Sequence, residues 1–441
     1  MLLSFSFIRL VSHNGVYTMH PLIHTWGRDR MSSEDGQKHC SMAYAILACS
    51  LSKHFNKQPH HFRRILVTHL RANIQYSVMV KEKMAERYFD DAHEKIGNLL
   101  REQGYNSEAE KFQIQVLDAR SRTLGEEHPD TIHAMGDLAS TYESLGKYAD
   151  AEKLQITILD LRNKYLGKEH PHTIGATSNL AITYKSLGKY AEAEKLQIKV
   201  LGLRNKLSGQ EHPDTISAMS NLSITYMSLR KYADAEELAI KVLDLRNRLL
   251  GKEHPDTISA MSNLAAINEI IGKYANVEKL QIQILDLRSR LLGEQHHYTI
   301  LAMGNLANTY HSLERYTDAE KLQIKVIDLR SRLFGAGHPT TILAMSDLAI
   351  TFKSLGKHAD ARKLHIKVLN LRKRLLGEEH PDTITAMSNL VAISEILGKY
   401  ADAEKLQVQV LDLGHRVLGE EHPYTILAMG NLANTYHSLE K

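Results

Sequence analysis

A pentapeptide of the form His-Pro-x-Thr-Ile is written seven times in this chain, opening at His128, His170, His212, His254, His338, His380 and His422, and every copy falls on a 42-residue grid. The vacant grid point is filled by His296-His297-Tyr298-Thr299-Ile300, which keeps the register without the proline. Eight registered copies of one segment do not belong to a single closed core. A fixed period of this size marks stacked supersecondary units, each touching only its neighbours. Length alone would suggest about two to four globular domains. The grid replaces that reading with one array over most of the 441 residues.

Residues 212–253 show one unit in full. Pro213 stands at the first position of a helix, where its missing N–H costs nothing, and Asp214 follows in the turn where the helix dipole favours an acid. Ile216, Met219, Leu222, Ser223, Tyr226 and Leu229 fall on one helical face. The corner after them reads Leu229-Arg230-Lys231. In most other copies it is Gly-Lys-Tyr, as at Gly146, Gly188 and Gly398, and glycine is the usual left-handed residue past a helix end. Ala235, Leu238, Val242, Leu245 and Leu249 then step by three and four along a second helix. It closes at Gly251, with Arg246 and Arg248 placed near its C-terminal end, where the dipole favours cations. Each unit is therefore a helical hairpin whose apolar face needs a neighbour. Seven of the nine prolines sit in the repeated turn, so proline here punctuates helices.

The spacing Met135-x2-Leu138-Ala139-x2-Tyr142…Ala151, and likewise Met219…Leu222-Ser223…Tyr226…Ala235, resembles the tetratricopeptide repeat signature. That signature has a period of about 34 residues; the extra eight or so are two helical turns added to the second helix. The lengthened form resembles the kinesin-light-chain type of tetratricopeptide repeat, and also the arrays of fungal NLR-like proteins. The fold class this implies is all-α, a right-handed superhelical solenoid of 42-residue helical hairpins spanning residues 89–441. Stepping back from Ala151 reaches Ala109, within Glu108-Ala109-Glu110-Lys111-Phe112-Gln113, so a divergent first unit lies at about 89–124 without the His-Pro opening. The array then has nine first helices and eight second helices. Its last helix, Thr425 to Leu439, lacks a partner, as expected of a longer array cut short, and that end is a route to self-association. Residues 299–314 and 425–440 are identical, an offset of 126 or three units, which reads as duplication of a three-repeat block.

The first ninety residues differ. Ser4 to Val11 alternates like a strand, Ser12-His13-Asn14-Gly15 supplies a turn, and Val16 to Met19 returns as a second strand. Pro21 then opens a helix striped by Leu22, Ile23 and Trp26. A hairpin leading into a helix is the wing end of a winged-helix domain. Tyr17 through Arg30 resembles the segment that closes the nucleotide-binding (NB-ARC, STAND-type) domain of fungal NLR-like proteins. His20 occupies a place similar to the histidine of the M-H-D motif of the related plant receptors, but Pro21 stands where the aspartate would be. No G-x-x-x-x-G-K-[ST] loop occurs in the chain. The expected organisation is a winged-helix-like remnant at 1–35, a helical adapter at 36–88, and the array from 89 on.

Composition excludes little but constrains the partner. Lys and Arg number 55 against 51 Asp and Glu, a balance that gives no basis for a nucleic-acid or anionic-membrane partner. No run approaches the ~20 apolar residues of a membrane span. Cys40 and Cys49 are too few for a disulfide framework and suit a cytoplasmic chain. HExxH, CxxC and G-x-S-x-G motifs are absent, and the histidines of the repeated turn lie one per unit, too far apart to share an ion. No enzyme activity, cofactor or metal is expected. The candidate site is instead the row one step before each signature leucine: Asp137, Asn179, Asn221, Asn263, Asn305, Asp347, Asn389 and Asn431. The resemblance implies that this helix lines a concave groove and that asparagines here clamp an extended peptide, a role suited to an amide with one acceptor and two donors. Asn308 and Asn434 are counted with them. Neighbouring groove positions are small, as at Ser178, Ser220, Ser262, Gly304, Ser346 and Ser388, and charge enters only through the mixed row Glu143, Lys185, Glu269, Lys353 and Glu395. The expectation is a polar, roughly neutral groove for a protein or peptide segment. The function expected is a non-catalytic scaffold, the sensor of an NLR-like protein; alternatives are a STAND NTPase fragment and a kinesin-light-chain-like cargo adaptor.

Overall fold

The computed structural model describes residues 8–12, 16–19, 67 and 86–439. The chain divides into two compact units, Met1–Gly209 and Gln210–Lys441.

The first unit opens with an antiparallel hairpin, β1 (Ile8–Ser12) and β2 (Val16–Met19), in which Ile8 faces Met19 and Leu10 faces Tyr17. This is the expected hairpin over the residues described, and Ser4 to Phe7 of the predicted first strand lie outside them. His20, Pro21 and Trp26, and nearly all of the adapter at 36–88, lie outside the described residues. Three helical hairpins follow: α1 (Glu86–Glu102) with α2 (Asn106–Thr123), α3 (Pro129–Ser144) with α4 (Tyr148–Leu166), and α5 (Pro171–Ser186) with α6 (Tyr190–Ser208). The second unit holds five more and a last first helix: α7 (Pro213–Ser228) and α8 (Tyr232–Leu250), α9 (Pro255–Ile270) and α10 (Tyr274–Leu292), α11 (His297–Ser312) and α12 (Tyr316–Phe334), α13 (Pro339–Ser354) and α14 (His358–Leu376), α15 (Pro381–Ile396) and α16 (Tyr400–Leu418), then α17 (Pro423–Leu439). Odd-numbered helices are the first of each hairpin, even-numbered the second.

The repeated pentapeptide builds the joint between hairpins. The histidine is the N-cap, and its Nδ1 accepts the N–H two residues on, at 3.2 Å from Asp256 to His254 and 3.1 Å from Asp382 to His380. Nδ1 can do so only as a neutral, acceptor nitrogen. Proline then takes the first helical position. The threonine is buried at every joint, and at four of them, Thr131, Thr299, Thr341 and Thr383, its hydroxyl donates to the carbonyl of the glycine that ended the previous helix, at 2.8 Å for Thr299 to Gly293 and for Thr383 to Gly377. Those glycines hold φ near +85°, as at Gly293, where any side chain would be strained. The other corner, inside the hairpin, uses the same device: Gly146, Gly188 and Gly398 are left-handed, and Arg230 and Glu314 adopt φ of 59° where glycine is missing.

Packing runs from each hairpin to the next. Ile258 and Met261 of α9 and Ile284 and Leu287 of α10 close on Ala302 of α11. Ile300 and Met303 of α11 and Val326 of α12 close on Ala344 of α13. Alanine at that repeated position lets the next first helix approach. In α7 the expected face is buried at Ile216, Met219, Leu222 and Ser223 and half-buried at Tyr226 and Leu229. In α8 the expectation fails at Leu249, which is 44% exposed, while Ala239 is buried instead. The period of the second helix drifts over nineteen residues, so its last turns leave the core.

One core position departs from its repeats. His365 of α14 is 3% exposed where Gln113, Gln155, Gln197, Gln281, Gln323 and Gln407 stand in other hairpins. Burial, with Lys353 nearby, lowers its pKa from the usual 6.5 to about 4. The folded chain thus holds His365 neutral where the unfolded chain would take up a proton. Stability is complete above about pH 6.5 and is lost as pH falls toward 4, by on the order of 3 kcal/mol. His365→Gln is expected to flatten this dependence, measured by urea unfolding between those pH values. A second expectation concerns the caps. His254→Ala removes the acceptor at the start of α9 and is expected to cost about 1 kcal/mol, with His254→Asn recovering most of it in the same measurement.

Candidate functional site

On each first helix the residues left out of the core form one exposed face. In α9 the core takes Thr257, Ile258, Ala260, Met261, Leu264, Ala265 and Ile267, leaving Ser259, Ser262, Asn263 and Ala266 on the other side. The signature asparagines all fall on this face. Asn179, Asn305, Asn308 and Asn434 are exposed, and Asn221, Asn263, Asn389 and Asn431 are half-buried. Among the described residues, the side chains of Asn179, Asn221, Asn263, Asn305 and Asn389 make no hydrogen bond to a neighbouring hairpin. Their backbone carbonyls accept only local bonds, such as that from Thr309 Oγ1 to Asn305 at 3.0 Å. Asp137 behaves differently, accepting from Asn98 Nδ2 at 2.9 Å. Asp347 is half-buried, and burial raises its pKa against the pull of Arg330 and Arg372.

Of the mixed-charge row, Glu269 and Lys353 are exposed, whereas Glu143 and Glu395 are half-buried and held by the next first helix. Thr183 of α5 donates its hydroxyl to Glu143 of α3, and Thr435 of α17 donates to Glu395 of α15 at 2.7 Å. Glu143 is half-buried, and burial raises its pKa while the threonine lowers it. These acids tie one first helix to the next.

Positive charge reaches the face from elsewhere, and the expected neutral groove needs correcting. One arginine near the end of the second helix, spaced by 42 residues, is kept from α2 through α14 but replaced by Gly414 in α16. Arg120, Arg162, Arg246, Arg288, Arg330 and Arg372 reach the first helix of the following hairpin. In unit 2, Arg246 donates to the carbonyl of Asp256 at 3.0 Å, Arg288 to Tyr298 at 3.1 Å, Arg330 to Thr340 at 2.7 Å and Arg372 to Asp382 at 2.7 Å. In unit 1, Arg120 and Arg162 do the same to Asp130 and His172. All but Arg120, which is buried, are half-buried, and burial lowers the pKa of Arg162, Arg288 and Arg330. The second nitrogen of Arg330 lies 3.6 Å from where a side chain on Gly304 would begin, so its guanidinium rests on the exposed face of α11. From sequence these arginines read as cations near a helix C-terminus. The signal for their second role was their 42-residue register with the small residues of the first helix, which only the tertiary fold connects.

Glu94, His133 and Asp137 also gather on this face, with ligand atoms within 4.8 Å of one another. Arg120 Nη2 sits 2.8 Å from Glu94 Oε2 in the same cluster, and its fixed charge opposes a cation there.

Family models for the tetratricopeptide repeat match residues 88–155, 137–206, 172–231, 270–323, 298–365 and 386–441, and a second model of the same repeat matches 215–256. These spans cover more than half of the chain, and the protein belongs to the tetratricopeptide repeat family. The matches indicate no catalytic family, and the fold is typical of protein-interaction scaffolds. No curated protein sequence matches the chain. Among solved structures it is similar to a Signal Transduction ATPase with Numerous Domains (STAND) protein with a tetratricopeptide repeat sensor from Pyrococcus horikoshii, at 16% identity and a TM-score of 0.53, over 93% of this chain and 57% of that one. It is similar to the apo form of RapI at 10% identity and a TM-score of 0.51, over 80% of this chain and 98% of that one. The nearly identical TPR-like repeats of a P. anserina protein assigned as a kinesin light chain match at 24% identity and a TM-score of 0.42, over 47% of this chain and 98% of that one. At these identities the likeness is one of fold. No helix among the described residues is long and apolar enough to cross a membrane.

Glu94 is the partner that neutralises buried Arg120. Replacing it, Glu94→Gln, keeps an acceptor but leaves the guanidinium charge without its counterion, and is expected to destabilise the chain by about 2 kcal/mol in chemical unfolding.

Proposed function

We propose that the exposed face of the first helices binds a segment of another polypeptide, and that the chain works as a non-catalytic interaction scaffold. The observation that carries this is the row of asparagine amides. Asn179, Asn221, Asn263, Asn305 and Asn389 stand in one register on the solvent side, and among the described residues their side chains bond to no neighbouring hairpin. A side chain kept for stacking would be bonded into the stack, as Asn98 and Thr183 are. An amide held in register offers paired donor and acceptor to a peptide backbone. Around each amide, serine or glycine gives room for a backbone to approach.

The finer reading is the sensor module of an NLR-like, STAND-type signalling protein. The β1–β2 hairpin ahead of the array supports it, and so does the fold likeness to a STAND protein whose own tetratricopeptide repeats are called a sensor. The competing reading, a cargo adaptor of the kinesin-light-chain kind, rests on the length of the second helix.

The test is a peptide-display selection on the full chain, repeated with Asn221→Ala, Asn263→Ala, Asn305→Ala and Asn389→Ala combined. Selected peptides are expected to bind the variant about tenfold or more weakly, while helical circular dichroism and melting stay as in the parent. Unchanged binding, or a variant that loses its helicity, would count against the asparagines as ligand contacts.

A further inference from the structure

The first hairpin differs from the others in one respect that points to a ligand. Glu94 of α1 stands 26 residues before Arg120 and holds its guanidinium by two contacts, Nη2 to Oε2 at 2.8 Å and Nη1 to Oε1 at 3.4 Å. Arg120 Nη1 also donates to the carbonyl of Asp130 on the next first helix. Every later hairpin through α14 keeps the arginine. At the place of Glu94, however, the 42-residue register puts Gly136, Ser178, Ser220, Ser262, Gly304 and Ser346. The arginine's anchorage is kept as well. Arg330 divides its two terminal nitrogens as Arg120 does, Nη1 on the carbonyl of Thr340 and Nη2 beside the Gly304 position. What is missing is the carboxylate.

We infer that in unit 2 the gap beside each of Arg246, Arg288 and Arg330 receives a carboxylate from the ligand, so that the segment bound on the first-helix face is an acidic, extended polypeptide. This rests on the reading of that face as polypeptide-binding and names the chemistry of its partner. Glu94 shows what the guanidinium takes when an acid is in reach, and a planar, anchored guanidinium suits a carboxylate through two parallel bonds. At Ser220, Ser262 and Gly304 the small residue is only half-buried and leaves space for a side chain arriving from outside. Ser346 beside Arg372 is buried, so Arg372 is not counted among the receivers. Asp347 supplies one acid of the chain's own between Arg330 and Arg372. At the corresponding positions after Arg246 and Arg288 stand Asn263 and Asn305, so those two arginines have no such competitor and are the strongest receivers. Glu269, Lys353 and Glu395 lie on the same helix face but two turns, about 10 Å, further along, beyond direct contact with the gap. Helices in contact lie roughly 8–10 Å apart, and an extended chain advances about 3.3 Å per residue. Acids at about every third position would therefore meet successive arginines. The asparagine amides beside them favour a peptide backbone over a polyphosphate chain.

The experiment uses the full chain and three fluorescent probes: a peptide with glutamate at every third position, its glutamine counterpart, and inorganic polyphosphate. Each is titrated by anisotropy at low and at physiological salt. Two variants accompany the parent. Arg246→Gln with Arg288→Gln removes the receivers. Ser262→Glu places a carboxylate beside Arg288 as Glu94 lies beside Arg120, and so fills one gap from within. The glutamate peptide is expected to bind, with affinity falling as salt rises, and the glutamine peptide to bind about tenfold or more weakly. Both variants are expected to weaken the glutamate peptide, and Ser262→Glu to melt no lower than the parent, which separates a filled site from a damaged fold. Equal binding of the two peptides would overturn the carboxylate assignment and leave the polypeptide-binding reading standing. Polyphosphate binding in place of both peptides would overturn the two together. Binding of none of the probes would overturn the carboxylate assignment alone, because the display selection tests the face without presupposing charge.

Discussion

The structure depends on one joint, made again every 42 residues. A left-handed glycine ends a second helix. In its fullest form, before α11, Thr299 six residues on donates back to that glycine's carbonyl, His296 caps the next helix, and Arg288 from the helix before donates to a carbonyl just inside it. These bonds satisfy the helix-end groups that would otherwise be orphaned. They also fix the angle and register at which one hairpin meets the next. With the register fixed, alanines such as Ala302 and Ala344 always present themselves to the isoleucine and methionine of the hairpin before. Core packing is thereby a sum of nearest-neighbour contacts.

The same joint produces the candidate site without any residue being set aside for it. The arginine that completes the corner leaves its second nitrogen on the solvent face of the first helix, against a serine or glycine. The asparagine one position further along is carried to the same face. Copying a hairpin therefore copies a structural joint and a binding position together. This is consistent with the exact identity of residues 299–314 and 425–440. A surface made this way suits ligands that are themselves extended and that repeat a chemical feature at short intervals.

What could be read in the sequence was what is local. The proline at the first helical position, the glycines past helix ends and the three-and-four spacing of apolar residues each act within a turn or two, and the helices lie where they imply. Leu249 is exposed because the second helix is longer than the stretch over which an ideal face stays on the core. Glu143 and Glu395 were read as groove charges because nothing in their own helix shows the threonine of the next hairpin reaching them. The arginines were misplaced for a related reason. Arg330 is 26 residues after Gly304 and ten before Thr340, and its role is visible only once both helices are folded around it. The asparagine row is visible as a register; that Asn179, Asn221, Asn263, Asn305 and Asn389 are unbonded to the neighbouring hairpins is a fact of the tertiary structure.

The proposed ligand lies along the first helices. Position-specific photo-crosslinking tests this most directly. A photoreactive side chain is placed at Ser262, on the first-helix face, and separately at Ile282, an exposed residue of the second helix, in chains incubated with a display-selected peptide. The account predicts an adduct from position 262 and none from position 282. Capture at 282 alone would contradict it and move the binding surface to the second helices.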